Sequence, residues 1–351
     1  SQQTRALKAA TGDADIRIGM SGTPIANNPI DLWSILNWIS PEEWPSKTRF
    51  VDRMVEISMD MWGKKTPTGV KLAMKDEFFA ALDPRLRRMP KELVLPYLPD
   101  VVYERKDIEM SPKQKKAYEQ MRDQMIAELD DGEVVTTTSA LTKSLRLLQF
   151  ASSFAETEVT EEWDEEKQEV VPHTKVYLKA PSNKVDAFID DIEDFGKSQV
   201  VVFAASKQLI NLLADKLEKK GYILGRQYGL ITGDIGIDDR QQYMDRFQSG
   251  KMQFMLCTTG AGGTGITLTA ANTAVYLQRP WSMIESEQSE ARIRRIGSEI
   301  HESITIIDYV SIDTIDELVI EALLKKTDML QEILRDRDLL KRLLVPEKDK
   351  T

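Results

Sequence analysis

The chain has 351 residues, 41% of them hydrophobic and 30% charged, so it can bury a sizeable core and, at roughly 150 residues per domain, holds about two domains. No apolar run approaches the ~18 residues that cross a bilayer, which excludes a membrane protein as a first reading. A lone Cys257 cannot close an internal disulfide, and His173 and His301 lie too far from it for a zinc spacing, so a cytosolic protein with no metal in its shell is expected. The formal charge of −10 argues against a nucleic-acid binder, yet most of that excess sits in residues 156–169, where eight acids face only Lys167.

In chain order, the N-terminal Ser-Gln-Gln-Thr-Arg has neither Met nor a leader-like apolar run and reads as a piece cut from a longer chain. Ile16–Met20 reads as a short buried strand, and Ser21-Gly22-Thr23-Pro24 as a turn. From Pro29 to about Ala81, Leu32, Ile35, Leu36 and Ile39 recur at helical spacing and predict an all-helical protrusion. Residues 87–100, with Pro90, Pro96 and Pro99, read as a linker, with a boundary near residue 95. Val101–Met110 reads as a strand, Gln114–Leu129 as a helix started by Ser111-Pro112, and 139–153 as a second helix. The acidic stretch 156–169 is expected to be a solvated loop, because like charges at this density repel. Beyond it the spacing predicts strands at Val200–Ala204, Gly229–Thr232, Phe254–Thr258, Ala274–Leu277 and Ile304–Tyr309. Helices near 184–195, 207–220, 238–249 and 284–295 fall between them, a βαβ rhythm that implies a parallel sheet covered on both faces. A charged helical tail is expected over 314–343.

Two motifs are decoys. Gly260, Gly262 and Gly265 satisfy a dinucleotide pattern, but only Ile266–Asn272 separate them from the next strand, too few for the helix such a site needs. Four glycines in six residues can still turn backbone amides toward a phosphate. Gly196-Lys197-Ser198 imitates a Walker A ending, but Asp191 stands where its first glycine should be and the segment precedes a strand. The sharpest constellation runs from Gln288 to Gly297. On a continuous helix Gln288, Arg292 and Arg295 would share one face, and two forked guanidiniums one turn apart suit phosphoryl oxygens. A solvated basic stripe paired with Glu285 or Glu299 is the plain alternative.

These residues, in this order, closely resemble the Swi/Snf-type branch of the superfamily-two helicases and translocases. Met20–Asn27 is similar to motif III, Leu98-Pro99 with Ser111, Gln114 and Tyr118 to the start of the second lobe, and Val200–Ser206 to motif IV. Thr258–Ala271 resembles motif V, and Pro280-Trp281 with Gln288–Gly297 resembles the Trp-containing segment and motif VI. The family usually has Gln, Asp, His and Gln where Ala26, Ala291, Arg294 and Ser298 stand here.

The resemblance, over about residues 16–325, implies an α/β fold: a RecA-like, P-loop-type lobe with a mostly parallel sheet flanked by helices, plus an N-terminal helical protrusion. Residues 1–27 would be the last strand and motif III of a first RecA-like lobe, 28–95 the protrusion and linker, 96–325 the second lobe with an acidic loop at 156–175, and 326–351 a helical tail. By the same resemblance Arg292 and Arg295 would be arginine fingers, and Gly262, Gly263, Gly265 and Gln288 would sense nucleotide. Ser21, Gly22 and Thr23 would couple the lobes, while Lys207, Thr232, Gly233, Arg240, Thr258 and Trp281 would meet DNA phosphates. ATP and Mg2+ would be held mainly by the first lobe, which leaves this chain inactive alone. The expected partners are that lobe and double-stranded DNA, in the cytoplasm or nucleoid, or in the nucleus of a eukaryote. A degenerate lobe kept as an interaction scaffold is the alternative.

Overall fold

The computed structural model describes residues 2–20, 29–59, 65–87, 89, 91–130, 146–164, 169–262, 265–280, 282–317, 319–321 and 323. Its contacts divide the chain into two compact units, one of residues 1–96 with 282–284 and 323–351, the other of residues 97–281 with 285–322.

In the first unit, helices Ile30–Ile39, Lys47–Met54 and Lys75–Leu82 turn Leu32, Leu36, Phe50, Met54, Phe78 and Leu82 inward. Trp44, Phe50, Phe78 and Phe79 form a chain of edge-on and tilted rings, the geometry that aromatic quadrupoles favour. Ser46 caps the second of these helices by accepting the Arg49 amide at 3.3 Å. Two expectations fail here. The protrusion is not all helical: β1 (Val55–Met59) and β2 (Lys65–Val70) pair antiparallel, because Val55, Ile57 and Met59 alternate with polar residues even though the preceding spacing is helical. Ile16–Met20 is not a strand either. It is irregular, with Ile16 80%, Ile18 77% and Met20 96% exposed, since no strand among the described residues lies beside it to accept its backbone bonds. Arg17 instead ties the segment down by donating to the carbonyls of Thr11, Gly12 and Trp38.

The second unit is built on a six-stranded sheet in the order β3-β10-β9-β6-β8-β7, with every neighbouring pair parallel. The strands are β3 (Asp100–Ile108), β6 (Val200–Ala204), β7 (Tyr228–Ile231), β8 (Phe254–Thr258), β9 (Thr273–Tyr276) and β10 (Ser303–Ser311). Helices on both faces explain why β6 and most of β8 read as unbroken apolar runs with no exposed surface. The helix Lys207–Lys219, for example, buries Leu209, Ile210, Leu213, Ala214 and Leu217. Asp191, at the decoy's missing glycine, accepts Lys106 and Tyr309 in a structural cluster.

The acidic loop expected at 156–175 is a hairpin. β4 (Phe154–Asp164) and β5 (Glu169–Lys179) pair antiparallel in unbroken register, with residues 165–168 outside the described set. Charge counting hid the alternation: β-branched and aromatic residues stand between the acids in sequence, and the register sets Thr157 against Val176, Val159 against Thr174 and Trp163 against Val170. Opposite charges also meet, with Glu158 registered against Lys175 and Glu156 paired to Lys179. Gln208 clamps the hairpin base, accepting the Leu178 amide and donating to the Val176 carbonyl, both at 2.8 Å. Of the expected second helix, residues 146–152 are helical and 139–145 lie outside the described residues, as does most of the 314–343 tail.

A buried polar web joins motifs far apart in sequence. Gln114 donates to the Phe150 and Ala151 carbonyls and to Asn183, which donates to Ser311. Gln278 donates to Leu148 and Ser152 while accepting the Ser206 amide. These side chains satisfy the orphan carbonyls at the C-terminal end of helix 146–152, where no glycine cap exists.

Candidate functional site

In a parallel sheet all strands end at one edge, and ligands of open α/β sheets sit outside those carboxyl ends. Here that edge carries Ser206-Lys207 after β6, Thr232-Gly233-Asp234 after β7, Thr258 at the end of β8, Gln278-Arg279 after β9 and Ser311 closing β10.

The expected helix 284–295 is shorter. It runs Met283–Glu290, and the amides of Arg292 and Ile293 then bond three residues back, to Ser289 and Glu290, so the chain tightens into turns. Gln288 therefore sits on the helix while Arg292 and Arg295 sit on the turn, and the single face expected for all three does not form. Both arginines nonetheless converge on one atom: Nη1 of Arg292 and Nη1 of Arg295 reach the Ile266 carbonyl at 3.4 and 3.2 Å. The Leu268 amide donates to the Arg292 carbonyl at 2.9 Å and fastens the turn to the same segment. Gly297 closes the turn at φ +103°, where a side chain would be strained and its Cβ would stand 3.2 Å from Thr269 Oγ1. Burial lowers the Arg292 guanidinium pKa, and the neighbouring Arg295 charge pushes it the same way.

Ile266 follows Gly265, whose φ of +73° turns the glycine segment, and Gly262 ends the single helical turn Thr259–Gly262. Motifs V and VI thus meet at the arginines. Gln288 is half buried and, among the described residues, makes no hydrogen bond to the glycine segment.

Four of the residues assigned to DNA lie around one loop. Thr232 Oγ1 donates to Asp234 at 2.7 Å, Lys207 pairs with Asp234 at 2.9 Å, and Arg240 donates to the Thr232 carbonyl at 2.6 Å, with Gly233 exposed between them. Thr258 ends the strand lying between β6 and β7 in the sheet. Hydrogen bonds from Lys207 and then Thr232 push the Asp234 carboxyl down to about 2. Ser21, Gly22, Thr23, Gly263 and Trp281 lie outside the described residues.

The sequence reading missed Arg279. It donates to Asp308 through Nε and Nη2 at 2.5 and 3.2 Å, and through Nη1 to Ser286 at 2.7 Å and Glu290 at 2.6 Å. Its guanidinium carbon stands 3.7 Å over the Tyr276 ring. Burial alone would lower this guanidinium's pKa; the Asp308 and Glu290 charges outweigh burial and raise it. The only signal in the sequence is a lone arginine directly after a buried strand. Arg294, where the resembling family usually has His, donates to the Pro99 carbonyl at 2.9 Å. Among the described residues no group of three or more His, Cys, Asp or Glu is placed to hold a metal ion.

Two family profiles match the chain: the SNF2-related domain over residues 1–156 and the helicase conserved C-terminal domain over residues 183–297. An uncharacterised ATP-dependent helicase of Mycoplasma pneumoniae is 23% identical over 337 residues, covering 95% of this chain and 29% of that protein. Chromodomain-helicase-DNA-binding protein 8 of Xenopus tropicalis is 27% identical over 297 residues, 81% of this chain and 13% of that one. The chain thus spans less than a third of the length of these curated relatives. Among solved structures, the Sulfolobus solfataricus SWI2/SNF2 ATPase core in complex with dsDNA superposes with a TM-score of 0.50 at 20% identity, covering 98% of this chain and 68% of that one. The chain is thus similar to SNF2-type helicase-like proteins, with an SNF2-related domain match followed by a helicase conserved C-terminal domain match.

Proposed function

We propose that the chain is the C-terminal motor half of an ATP-dependent, DNA-stimulated translocase, with Arg292 and Arg295 acting as arginine fingers on ATP held by a first RecA-like lobe. Residues 1–27 would then belong to that lobe, with Ser21–Thr23 coupling it to this one, and residues 96–325 would be the second lobe. The observation that carries the reading is the convergence of two guanidiniums on the Ile266 carbonyl beside the glycine segment. Two cations whose charges oppose each other at one neutral acceptor gain when an anion replaces it, and phosphoryl transfer builds negative charge that a trans arginine stabilises. Gly262, Gly263, Gly265 and Gln288 would follow nucleotide state, and ATP and magnesium would be held mainly by the first lobe. Lys207, Thr232, Gly233, Arg240, Thr258 and Trp281 would track DNA phosphates, which positions a motor without reading sequence. The relative from Mycoplasma pneumoniae, named an ATP-dependent helicase, and the dsDNA in complex with the Sulfolobus core agree with this reading. The protein would be DNA-associated.

The test is turnover in the full-length protein. Arg295→Ala or Arg292→Ala is expected to lower DNA-stimulated phosphate release by about 10³ or more, with DNA affinity little changed. Lysine is expected to rescue poorly, because a point charge lacks the planar fork. The isolated chain is expected to hydrolyse ATP at background rate with or without duplex DNA. Full turnover in a folded double alanine variant would remove the reading.

A further inference from the structure

The geometry points to Arg279 as a positioning residue that aims the Arg292–Arg295 turn, an assignment that rests on the arginine-finger reading above. One guanidinium joins three elements. It holds Asp308 on β10 with two donors, reaches Ser286 and Glu290, one turn apart on helix Met283–Glu290, and stacks on Tyr276 of β9. The grip ends at the last residue of that helix. Glu290 has both carboxylate oxygens engaged, one by Arg279 and the other by Tyr103 Oη at 3.0 Å. Tyr276 Oη meets Ser289 Oγ at 2.5 Å and pins the same turn of helix from the sheet.

From Glu290 the fixation passes straight to the arginines. Its carbonyl accepts the amides of both Ile293 and Arg294 at 3.1 Å, so the entry angle of the turn is set where Arg279 holds the side chain. The far side of the turn is set by the Leu268 amide on the Arg292 carbonyl. Stability alone is a poor reason for this arrangement, because buried ion pairs are often matched or exceeded by apolar packing of the same volume. What charged, forked contacts add is direction, and misplacing a reacting group by about 1 Å can cost 10²-fold in rate.

The experiment uses the full-length protein and reads kcat and KM for ATP with duplex DNA present. Arg279→Gln and Arg279→Lys are each expected to lower kcat by about 10- to 100-fold, with KM changed less than about threefold, the scale seen when an outer contact that orients a working group is lost. Tyr103→Phe, which removes one oxygen and keeps the ring, is expected to lower kcat a few-fold at an unchanged thermal midpoint, and it decides the matter if the Arg279 variants do not fold. In an Arg295→Ala background, Arg279→Gln is expected to cost clearly less than in the wild type, because one of the two arginines it aims is already gone. Wild-type kcat in a folded Arg279→Gln or in Tyr103→Phe overturns the inference, as does a full multiplicative loss in the Arg295→Ala background. If Arg295→Ala itself leaves turnover intact, the arginine-finger reading falls and this inference with it. Loss in Arg295→Ala beside full activity in Arg279→Gln removes this inference alone.

Discussion

The carboxyl edge of the sheet has two halves that treat charge in opposite ways. On the β10 and β9 side, ions are buried and have one partner set each: Lys184 and Asp316 pair at 2.5 Å with side chains 1% and 7% exposed, and Arg279 is enclosed by Asp308, Glu290 and Tyr276. On the β6 and β7 side, Lys207 and Asp234 pair at 2.9 Å with side chains 49% and 55% exposed. A buried pair left half-made strands a charge away from water, so its geometry is enforced; an exposed pair exchanges partners at little cost. The enclosed half is built to hold its shape, and the open half to trade its carboxylate for another anion.

The sharpest way to break this contrast is Lys184→Ala, which leaves the Asp316 carboxylate buried with its ion partner gone. It is expected to cost about 3–5 kcal/mol, a fall in Tm on the order of 10 °C by calorimetry or denaturant titration. An unchanged midpoint would mean that the pair is as replaceable as the exposed one. Next comes Lys207→Ala, expected to leave the thermal midpoint within error while reducing the salt slope of DNA binding in the full-length protein by about 1, the signature of one lost phosphate contact. The smallest effect is local. The Asp234 carboxyl is expected to titrate at about 2 by NMR and to move back up in Lys207→Ala, since the Lys207 hydrogen bond is the main cause of its depression. Because that value is depressed, the contribution of the pair is complete above the usual aspartate range and is lost as pH falls through about 2.

Legibility followed the same physics. β6 and β8 were readable because strands covered on both faces are apolar along nearly their whole length. The β4–β5 hairpin was not, because the density of acids in its sequence conceals the strand-forming Thr, Val and Trp residues that alternate with them. Ile16–Met20 has the composition of a strand, but composition supplies no neighbour to pair with. At the site, Arg292 and Arg295 were legible from the chemistry of paired forks, while the turn that carries them was not, since helical spacing continues past the point where Glu290 ends the helix. Arg279 was invisible because its meaning lies in Asp308, 29 residues away in sequence and adjacent only once β9 and β10 pair.

The register of β3 has a consequence for how the chain is made. Among the described residues β3 pairs only with β10, Asp100 against Ser303 through Ile108 against Ser311, so an early strand waits for a late one. At roughly 5–20 residues per second, Ser303 is synthesised on the order of 10 to 40 s after Asp100. For that interval β3 has no mate, and an unpaired strand is a template for any other chain. Its run of Glu104, Arg105, Lys106 and Asp107 guards it, since charged residues on an open edge discourage foreign pairing. The delivery of β10 therefore sets the moment at which the nascent sheet is sealed.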